Sequence, residues 1–263
     1  MSMSIGLGGV NAATRDLDTT ANNIANVSTF GFKYSRAEFG DLVAGSAGIG
    51  VYTQNVNQLF GQGGITTTDN ALDFAINGSG FFQVRDVDGA GATVAEPAFY
   101  TRNGSFHLDK DGYIVNNQGQ RLQGVGGTST AAADMKFGGT GPWTLVTMDK
   151  NGALTAKDST GATVTATPAL GLANFNNVNA LKPVGDANWI ATTQSGDPNG
   201  AANALVAPGT GTVGKIMNCA LESSNVNLTG QLVNMIIAQR NFGANAKTIT
   251  ANSEMAQTII AMR

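Results

Sequence analysis

The sequence has very few of the residues on which most enzyme chemistry depends. It contains one cysteine, Cys219, and one histidine, His107. A single cysteine excludes an internal disulfide, and a lone cysteine is more often a small buried hydrophobic residue than a nucleophile. His107 lies in an alternating run that is typical of a strand, and no serine or threonine has a candidate base. The sequence therefore predicts no catalytic site and no enzyme.

Charge and long apolar runs are also scarce. Charged residues make up 13% of the chain and the formal net charge is −3, which argues against a nucleic-acid-binding protein with a basic surface. No apolar run approaches the about 20 residues of a membrane-spanning helix. The first residues, MSMSIGLGG, lack the basic and apolar regions of a Sec signal. We therefore expect neither nucleic-acid binding nor membrane insertion.

Ligand-binding motifs are represented only by fragments. Three acidic turns, which start at Asp86, Asp109 and Asp149, each reach a glycine three residues later. None has the third acidic ligand or the later glutamate of a calcium loop, so hairpin turns explain them better. The Gly-X-Gly runs at 48–50 and 78–80 lack the third glycine and the strand-to-helix context of a dinucleotide loop. We expect no metal and no cofactor.

The most regular pattern occupies the last forty or so residues. From Leu228 to Ile260, apolar and small residues recur at alternating steps of four and three, no proline intervenes, and Asn225 or Asn227 can cap the start. The charges after Asn225 are only Arg240, Lys247, Glu254 and Arg263. This pattern predicts one long helix that packs against other protein on several sides. An ordinary amphipathic helix on a core is the alternative.

The same spacing returns near the N-terminus, between Leu7 and Ile24. Because the two helices occupy the ends of the chain, we predict that they pair as an antiparallel coiled coil in a terminal helical domain, residues 1–30 and 222–263. Each helix alone is marginal in water, so we expect ordering on assembly. The apolar positions of both helices are the predicted subunit interface: Leu7, Val10, Leu17, Ile24, Leu228, Leu232, Met235, Phe242, Ile249 and Ile260.

Residues 31–71 differ from both ends, because Gly, Asn, Thr and Gln dominate and only residues 51–56 alternate like a strand. We interpret this segment as a connector without a large core of its own. Its predicted source of flexibility is a set of glycines, which adopt many backbone conformations at low cost: Gly31, Gly45, Gly48 and Gly50.

Residues 72–221 predict a β-rich outer domain. Short alternating runs are separated by Asn-Gly, Asp-Gly and Gln-Gly turns in two hairpin blocks, residues 72–124 and 143–191. The predicted fold class is therefore α+β, with terminal helices paired as a coiled coil, a Gly/Asn-rich connector and a central all-β domain.

Taken together, these segments resemble the bacterial flagellar axial family, which builds the rod and the hook, and most closely its hook proteins. The resemblance covers most of residues 5–124 and 216–263, whereas residues 125–215 match only loosely. It is carried by GLGGVNAATRDLDTTANNIANVSTFGFKYSRAEFGDL, NALDFAINGSGFFQV, YTRNGSFHLDKDGYIVNNQGQRLQG and LESSNVNLTGQLVNMIIAQRNFGANAKTI.

The resemblance implies a structural subunit of a helical tube, whose terminal helices line an export channel and whose β domain lies outside. A hook subunit would form a homo-polymer, a curved and flexible tube in the extracellular part of the bacterial flagellum that transmits torque from rod to filament. Its implied partners are the distal rod protein, the hook cap, the hook–filament junction proteins and the type III export apparatus.

Two alternatives remain open. The distal rod protein is similar in length and domain content, but the family pattern gives it an inserted loop where this chain has only VAGSAGIGVYTQ. Many hook proteins carry an extra outer β domain, for which this chain has little room, so it would be a short hook protein. A secreted β-rich binding domain or enzyme would instead predict a charged helix face and an acid/base cluster, and the sequence shows neither.

Overall fold

The computed structural model describes the chain except residues 1, 45–46, 89–92, 94–96, 126–131, 140, 150–151, 202–203 and 263. The chain divides into two compact units. The first comprises Met1–Ser28, Lys33–Leu59 and Asn225–Arg263, and the second comprises Thr29–Phe32 and Phe60–Ser224. Both ends of the sequence therefore belong to one unit, and the long central stretch forms the other.

The first unit contains two helices and a long hairpin. Helix α1 spans Ser2–Ala25, and helix α2 spans Leu228–Ala261. The Asn227 side chain caps α2, because its Oδ1 accepts a hydrogen bond from the backbone nitrogen of Gly230 at 3.1 Å. The two predicted terminal helices are therefore confirmed, with one of the two candidate caps in use.

Helices α1 and α2 pack against each other in antiparallel directions. The side-chain nitrogen of Asn23 donates to Oε1 of Gln231 at 3.3 Å, and a methyl group at Gly9 would lie 2.6 Å from Oδ1 of Asn245. Residues near the end of α1 therefore contact residues near the start of α2, and earlier residues of α1 contact later residues of α2. Glycine at position 9 permits this close approach. The supercoil of a coiled coil stays a prediction.

A hairpin occupies much of the segment that we interpreted as a connector. Strands β1 (Ser35–Ala44) and β2 (Ala47–Gln58) pair antiparallel, with register shifts after Glu38 and Leu42. The predicted strand at residues 51–56 lies within β2. The hairpin packs on α1, since a methyl group at Gly8 would lie 2.9 Å from the carbonyl oxygen of Val51. A hairpin without a core of its own is therefore held by the helices.

The second unit is built from short antiparallel strands. In chain order they are β3 (Ile65–Thr67), β4 (Phe74–Asn77), β5 (Phe82–Arg85), β6 (Phe99–Thr101), β7 (Phe106–Leu108), β8 (Ile114–Asn116), β9 (Arg121–Val125), β10 (Ala132–Asp134), β11 (Lys136–Phe137), β12 (Thr144–Met148), β13 (Leu154–Lys157), β14 (Thr163–Thr167), β15 (Ala169–Leu170), β16 (Lys182–Gly185), β17 (Asn188–Ile190), β18 (Lys215–Asn218) and β19 (Ala220–Glu222). The main sheet has the order β16-β17-β6-β5-β9-β8-β7, with β10 and β15 also paired to β9. A second sheet has the order β11-β14-β13-β12, and two further pairs are β18 with β4 and β19 with β3.

Aromatic side chains dominate the core of this unit. Phe82 and Phe106 meet edge to face, with ring centroids 5.6 Å apart. In a second cluster, Phe81 packs against Trp189 in the same way at 5.7 Å. Such pairs stabilise a core beyond the area that they bury. The predicted large β-rich central region, and with it the α+β class, is confirmed.

A buried ion pair ties the end of the second unit to an earlier part of its sequence. Nη1 of Arg102 lies 3.1 Å from Oε2 of Glu222, and their side chains are 5% and 0% exposed. The backbone nitrogen of Gly63 donates to Oε1 of Glu222 at 2.8 Å, and that of Gly31 donates to the Glu222 carbonyl at 2.8 Å. We predicted a helical domain from residue 222 onward, whereas Glu222 ends strand β19 and α2 begins at Leu228.

Candidate assembly surface

The ten predicted interface residues fall into two groups of five. Those in the first group are partly buried within the first unit: Val10, Leu17, Ile24, Met235 and Ile249. Those in the second group are exposed: Leu7, Leu228, Leu232, Phe242 and Ile260. The exposed group is available to another chain, but whether the ten residues form a subunit interface stays a prediction.

The face of α2 that meets α1 coincides with the predicted row only in part. Gln231 and Ala238 are buried and Asn245 approaches α1 at Gly9. Ile249 of the predicted row also lies in this face, because a methyl group at Gly6 would lie 2.9 Å from its Cγ1, whereas Leu232 of that row is 47% exposed. Small and amide side chains allow close helix approach and hydrogen bonds such as that from Asn23, so the side chain of Leu232 is left outside.

Helix α2 carries much exposed apolar side chain. Each of the following is at least 43% exposed: Leu228, Leu232, Val233, Ile236, Ile237, Phe242, Met255, Ile259, Ile260 and Met262. Large exposed apolar areas are uncommon on monomeric soluble proteins and often mark protein–protein contacts. The surface of α2 is therefore suited to assembly with other chains.

Near the middle of α1, the helices and the hairpin enclose a groove with a volume of about 340 Å³. Its walls are small or apolar, with amide groups along one side. Burial raises the pKa of the Asp16 carboxyl group, which is the one ionisable group among the groove's described lining residues. These are Gly9, Ala12, Ala13, Asp16, Phe39, Val51, Asn241, Ala244 and Asn245. We call this cavity the Asp16 groove.

The connector glycines have different surroundings. Gly31 has a positive φ of 72°, and a methyl group there would lie 2.5 Å from the backbone nitrogen of Asn103. Glycine is therefore required at position 31 for a close backbone approach. Gly48 has open space around it, Gly50 has a φ of 135°, and Gly45 lies outside the described residues. Their role in flexibility stays a prediction.

The residues that we considered as candidates for catalysis or metal binding lie in separate elements of the structure. His107 is an exposed residue of β7, and Cys219 lies between β18 and β19. Backbone hydrogen bonds at 3.0 Å close the turns that begin at Asp109 and Asp149, whereas the turn from Asp86 reaches residues outside the description. Among the described residues, no group of three His, Cys, Asp or Glu side chains could hold a metal ion, and none of the described helices could span a membrane.

Three protein-family models match the chain. Residues 3–33 match "Flagella basal body rod protein", residues 75–167 match "Flagellar hook protein FlgE/F/G D1 domain", and residues 217–262 match "Flagellar basal body rod FlgEFG protein C-terminal". The first of these segments includes all but one residue of α1, and the last includes all of α2. The middle segment includes strands from both sheets of the second unit.

Curated relatives match over nearly the whole chain. The flagellar basal-body rod protein FlgG of Agrobacterium fabrum is 31% identical, over 98% of this chain and 97% of its own. FlgG of Buchnera aphidicola subsp. Schizaphis graminum is 34% identical, over 98% of both chains. The flagellar hook protein FlgE of Salmonella typhimurium is 28% identical, over 100% of both. The chain belongs to the flagellar basal-body rod and hook family, whose members are structural subunits of the flagellum and not enzymes.

Proposed function

We propose that the chain is a subunit of the flagellar hook, which polymerises into a curved, flexible tube around the export channel and transmits torque from rod to filament. The observation that supports the hook is the short β1–β2 connection. Strand β1 ends at Ala44 and β2 begins at Ala47, where the family pattern expects an inserted loop in a distal rod protein. The SRAEFGDL run, which also resembles hook proteins, lies in β1.

Polymerisation through the terminal helices would explain why the surface of α2 is rich in exposed apolar side chains and poor in charge. In a tube, neighbouring copies would cover the exposed apolar side chains, and the scarcity of charge on α2 avoids the free-energy cost of burying unpaired ions. The two units suggest a division of roles. The helices and hairpin of the first unit would form the inner wall of the tube, and the β-rich second unit would lie outside.

A bending tube needs tight contacts near its axis and compliance farther out, since each row of subunits lengthens and shortens during rotation. The helices supply the tight contacts in this proposal. The hairpin supplies compliance, because its register shifts and glycines such as Gly48 and Gly50 let the backbone adjust at low cost.

The proposed partners follow from this position. They are the distal rod protein below, the hook cap during growth, the hook–filament junction proteins above, and the type III export apparatus that delivers the subunits. The proposed location is the extracellular hook of a bacterial flagellum.

A distal rod subunit is the second candidate, and chain length favours it. FlgG relatives match this chain over nearly equal lengths. The alignment with the Salmonella hook protein extends over 415 positions, so it contains long gaps opposite these 263 residues. A rod subunit would form a straight drive shaft from the same helices.

Electron microscopy of isolated basal bodies should place a labelled subunit on the hook. A short peptide tag fits the exposed turn at Gly161, between β13 and β14, where a methyl group would meet no atom within 4 Å. Gold-labelled antibody should then decorate the curved segment outside the cell envelope. Label confined to the straight segment beneath the hook would refute the hook assignment and support the rod.

Lengthening the hairpin should stiffen the polymer. A rod-type loop of about fifteen residues, of the size that rarely lacks structure of its own, would be inserted between Ala44 and Ala47. We expect straighter tubes in negative-stain images, because the added chain packs between neighbouring subunits. Insertion of the same loop at Gly161 is the control and should leave the curvature unchanged. Equal curvature of both variants would show that the hairpin is not the compliant element.

A further inference from the structure

Four exposed residues of α2 form one stripe. Val233, Ile236 and Ile237 are 52%, 51% and 49% exposed, and Arg240 is exposed beside them. Their spacing of three, four and seven residues places them on one face of a helix. The charged group thus stands within an apolar surface. We call this set the α2 stripe.

The stripe faces away from α1 of its own chain. Ala238 is fully buried against the neighbouring elements of the first unit, and Arg240 lies two residues later, about 200° around the helix. Within the described residues, Arg240 has no ion-pair partner within 4.0 Å. Within the part of the chain that the structure describes, Arg240 is therefore available to a carboxylate of another molecule.

The Asp16 groove has the complementary chemistry. Ala12, Ala13, Phe39 and Val51 give it small and apolar walls, and Asp16 places one carboxylate in it. That carboxylate also lacks an ion-pair partner among the side chains that the structure describes, and burial raises its pKa. Partial burial without a counterion is unfavourable for the charged form, so an incoming cation would be stabilised there.

We propose that the α2 stripe of one copy docks into the Asp16 groove of a second copy, with the Arg240 guanidinium paired to the Asp16 carboxylate. This inference rests on the proposed self-assembly. Three complementary features support it: apolar side chains meet apolar walls, the single cation of the stripe meets the single anion among the groove's described lining residues, and the amide oxygen of Asn241, which also lines the groove, can accept a further guanidinium hydrogen bond. Because stripe and groove lie on different faces of one unit, the contact can repeat along a polymer.

Charge reversal in the full-length chain tests the pairing. Asp16→Arg and Arg240→Asp should each raise the concentration required for polymerisation by about tenfold or more, because each places like charges in contact. The double variant should return that concentration to within about threefold of wild type. Asp18→Arg, on an exposed position of the same helix, is the matched control and should have little effect. Circular dichroism of the unpolymerised proteins checks that all variants fold.

Two outcomes would overturn the inference in distinguishable ways. If the wild type does not polymerise, self-assembly itself fails and the proposed function fails with it. If the wild type polymerises but the single reversals do not weaken assembly, or the double variant does not recover, only the Arg240–Asp16 contact is refuted.

Cysteine cross-linking provides a second measurement. In a Cys219→Ser background, Asp16→Cys and Arg240→Cys proteins would be prepared separately, mixed and oxidised. We expect a cross-linked dimer in the mixture, and much less of it when Asp18→Cys replaces Asp16→Cys. Because the two cysteines are on different chains, the dimer reports only contact between copies. Equal yields in the two mixtures would refute the docking.

Discussion

Replacing Glu222 by glutamine is expected to lower the free energy of unfolding of the second unit by about 3 to 5 kcal/mol. The Glu222 side chain is fully buried and is paired with Arg102. Burial lowers the pKa of the Arg102 guanidinium, while the Glu222 carboxylate acts in the opposite direction. Glutamine keeps an acceptor for the backbone nitrogen of Gly63 but leaves the buried guanidinium without a counterion.

Urea denaturation followed by tryptophan fluorescence measures this loss, because Trp189 lies in the core of the same unit. Glu38→Gln is the control: Glu38 pairs with Arg36 at 2.9 Å on the surface, and an exposed pair contributes about 1 kcal/mol or less. Arg102→Met combined with Glu222→Leu should recover much of the stability, since it removes both charges together. Wild-type stability of Glu222→Gln would show that the pair does not hold this unit together.

The parts of the fold that sequence predicts well are those set by local pattern. The spacing of apolar and small residues identifies both terminal helices, and Asn227 caps α2 where the sequence offered a cap. Asn-Gly and Asp-Gly turns indicate the hairpins of the β-rich region because they favour tight reversals whatever the tertiary context. These features depend on neighbours within a few residues.

The parts that sequence did not predict depend on distant contacts. Strand β1 contains Gly40 and several charged residues, so its alternation is weak. It pairs with β2, where Gly40 lies opposite Tyr52. A methyl group at Gly40 would lie 2.7 Å from Cε1 of the Tyr52 ring. The burial of Glu222 likewise cannot be predicted from neighbouring residues in the sequence, because its partner Arg102 is 120 residues away. A single glutamate after Ala220 and Leu221 does not indicate that its side chain is buried in an ion pair.

Periodicity alone did not separate the exposed residues of the candidate assembly surface from those that pack within the chain. It identified α2 and its heptad spacing, but several offset rows share that spacing, and the face in contact with α1 includes the small and amide residues Gln231, Ala238 and Asn245. The distinction depends on how closely two helices can approach, which is a property of the pair. Exposure in the structure was needed to separate residues such as Leu232 from those that pack within the chain.

Replacement of Leu232 by aspartate is expected to abolish polymerisation while leaving the isolated subunit folded. Leu232 is 47% exposed, so a carboxylate at this position stays hydrated in the free chain and changes its stability little. In a polymer, neighbouring copies would cover the exposed apolar residues of α2, including position 232. The aspartate carboxylate would then lose its hydration without gaining a partner, which costs several kcal/mol of assembly free energy for each subunit contact. Sedimentation should find no polymer at concentrations at which the wild type assembles.

Asn234→Asp is the control that separates the effect of the position from the effect of the added charge. It introduces the same negative charge two residues away, on an exposed site that is already polar, so the same interface should lose little on assembly. Because both variants lie in the second turn of α2, their effects on the helix dipole are similar and cancel in the comparison. A Leu232→Asp protein that polymerises like Asn234→Asp would mean that neighbouring copies do not cover Leu232, and the interface would then have to lie on another face of the helix pair.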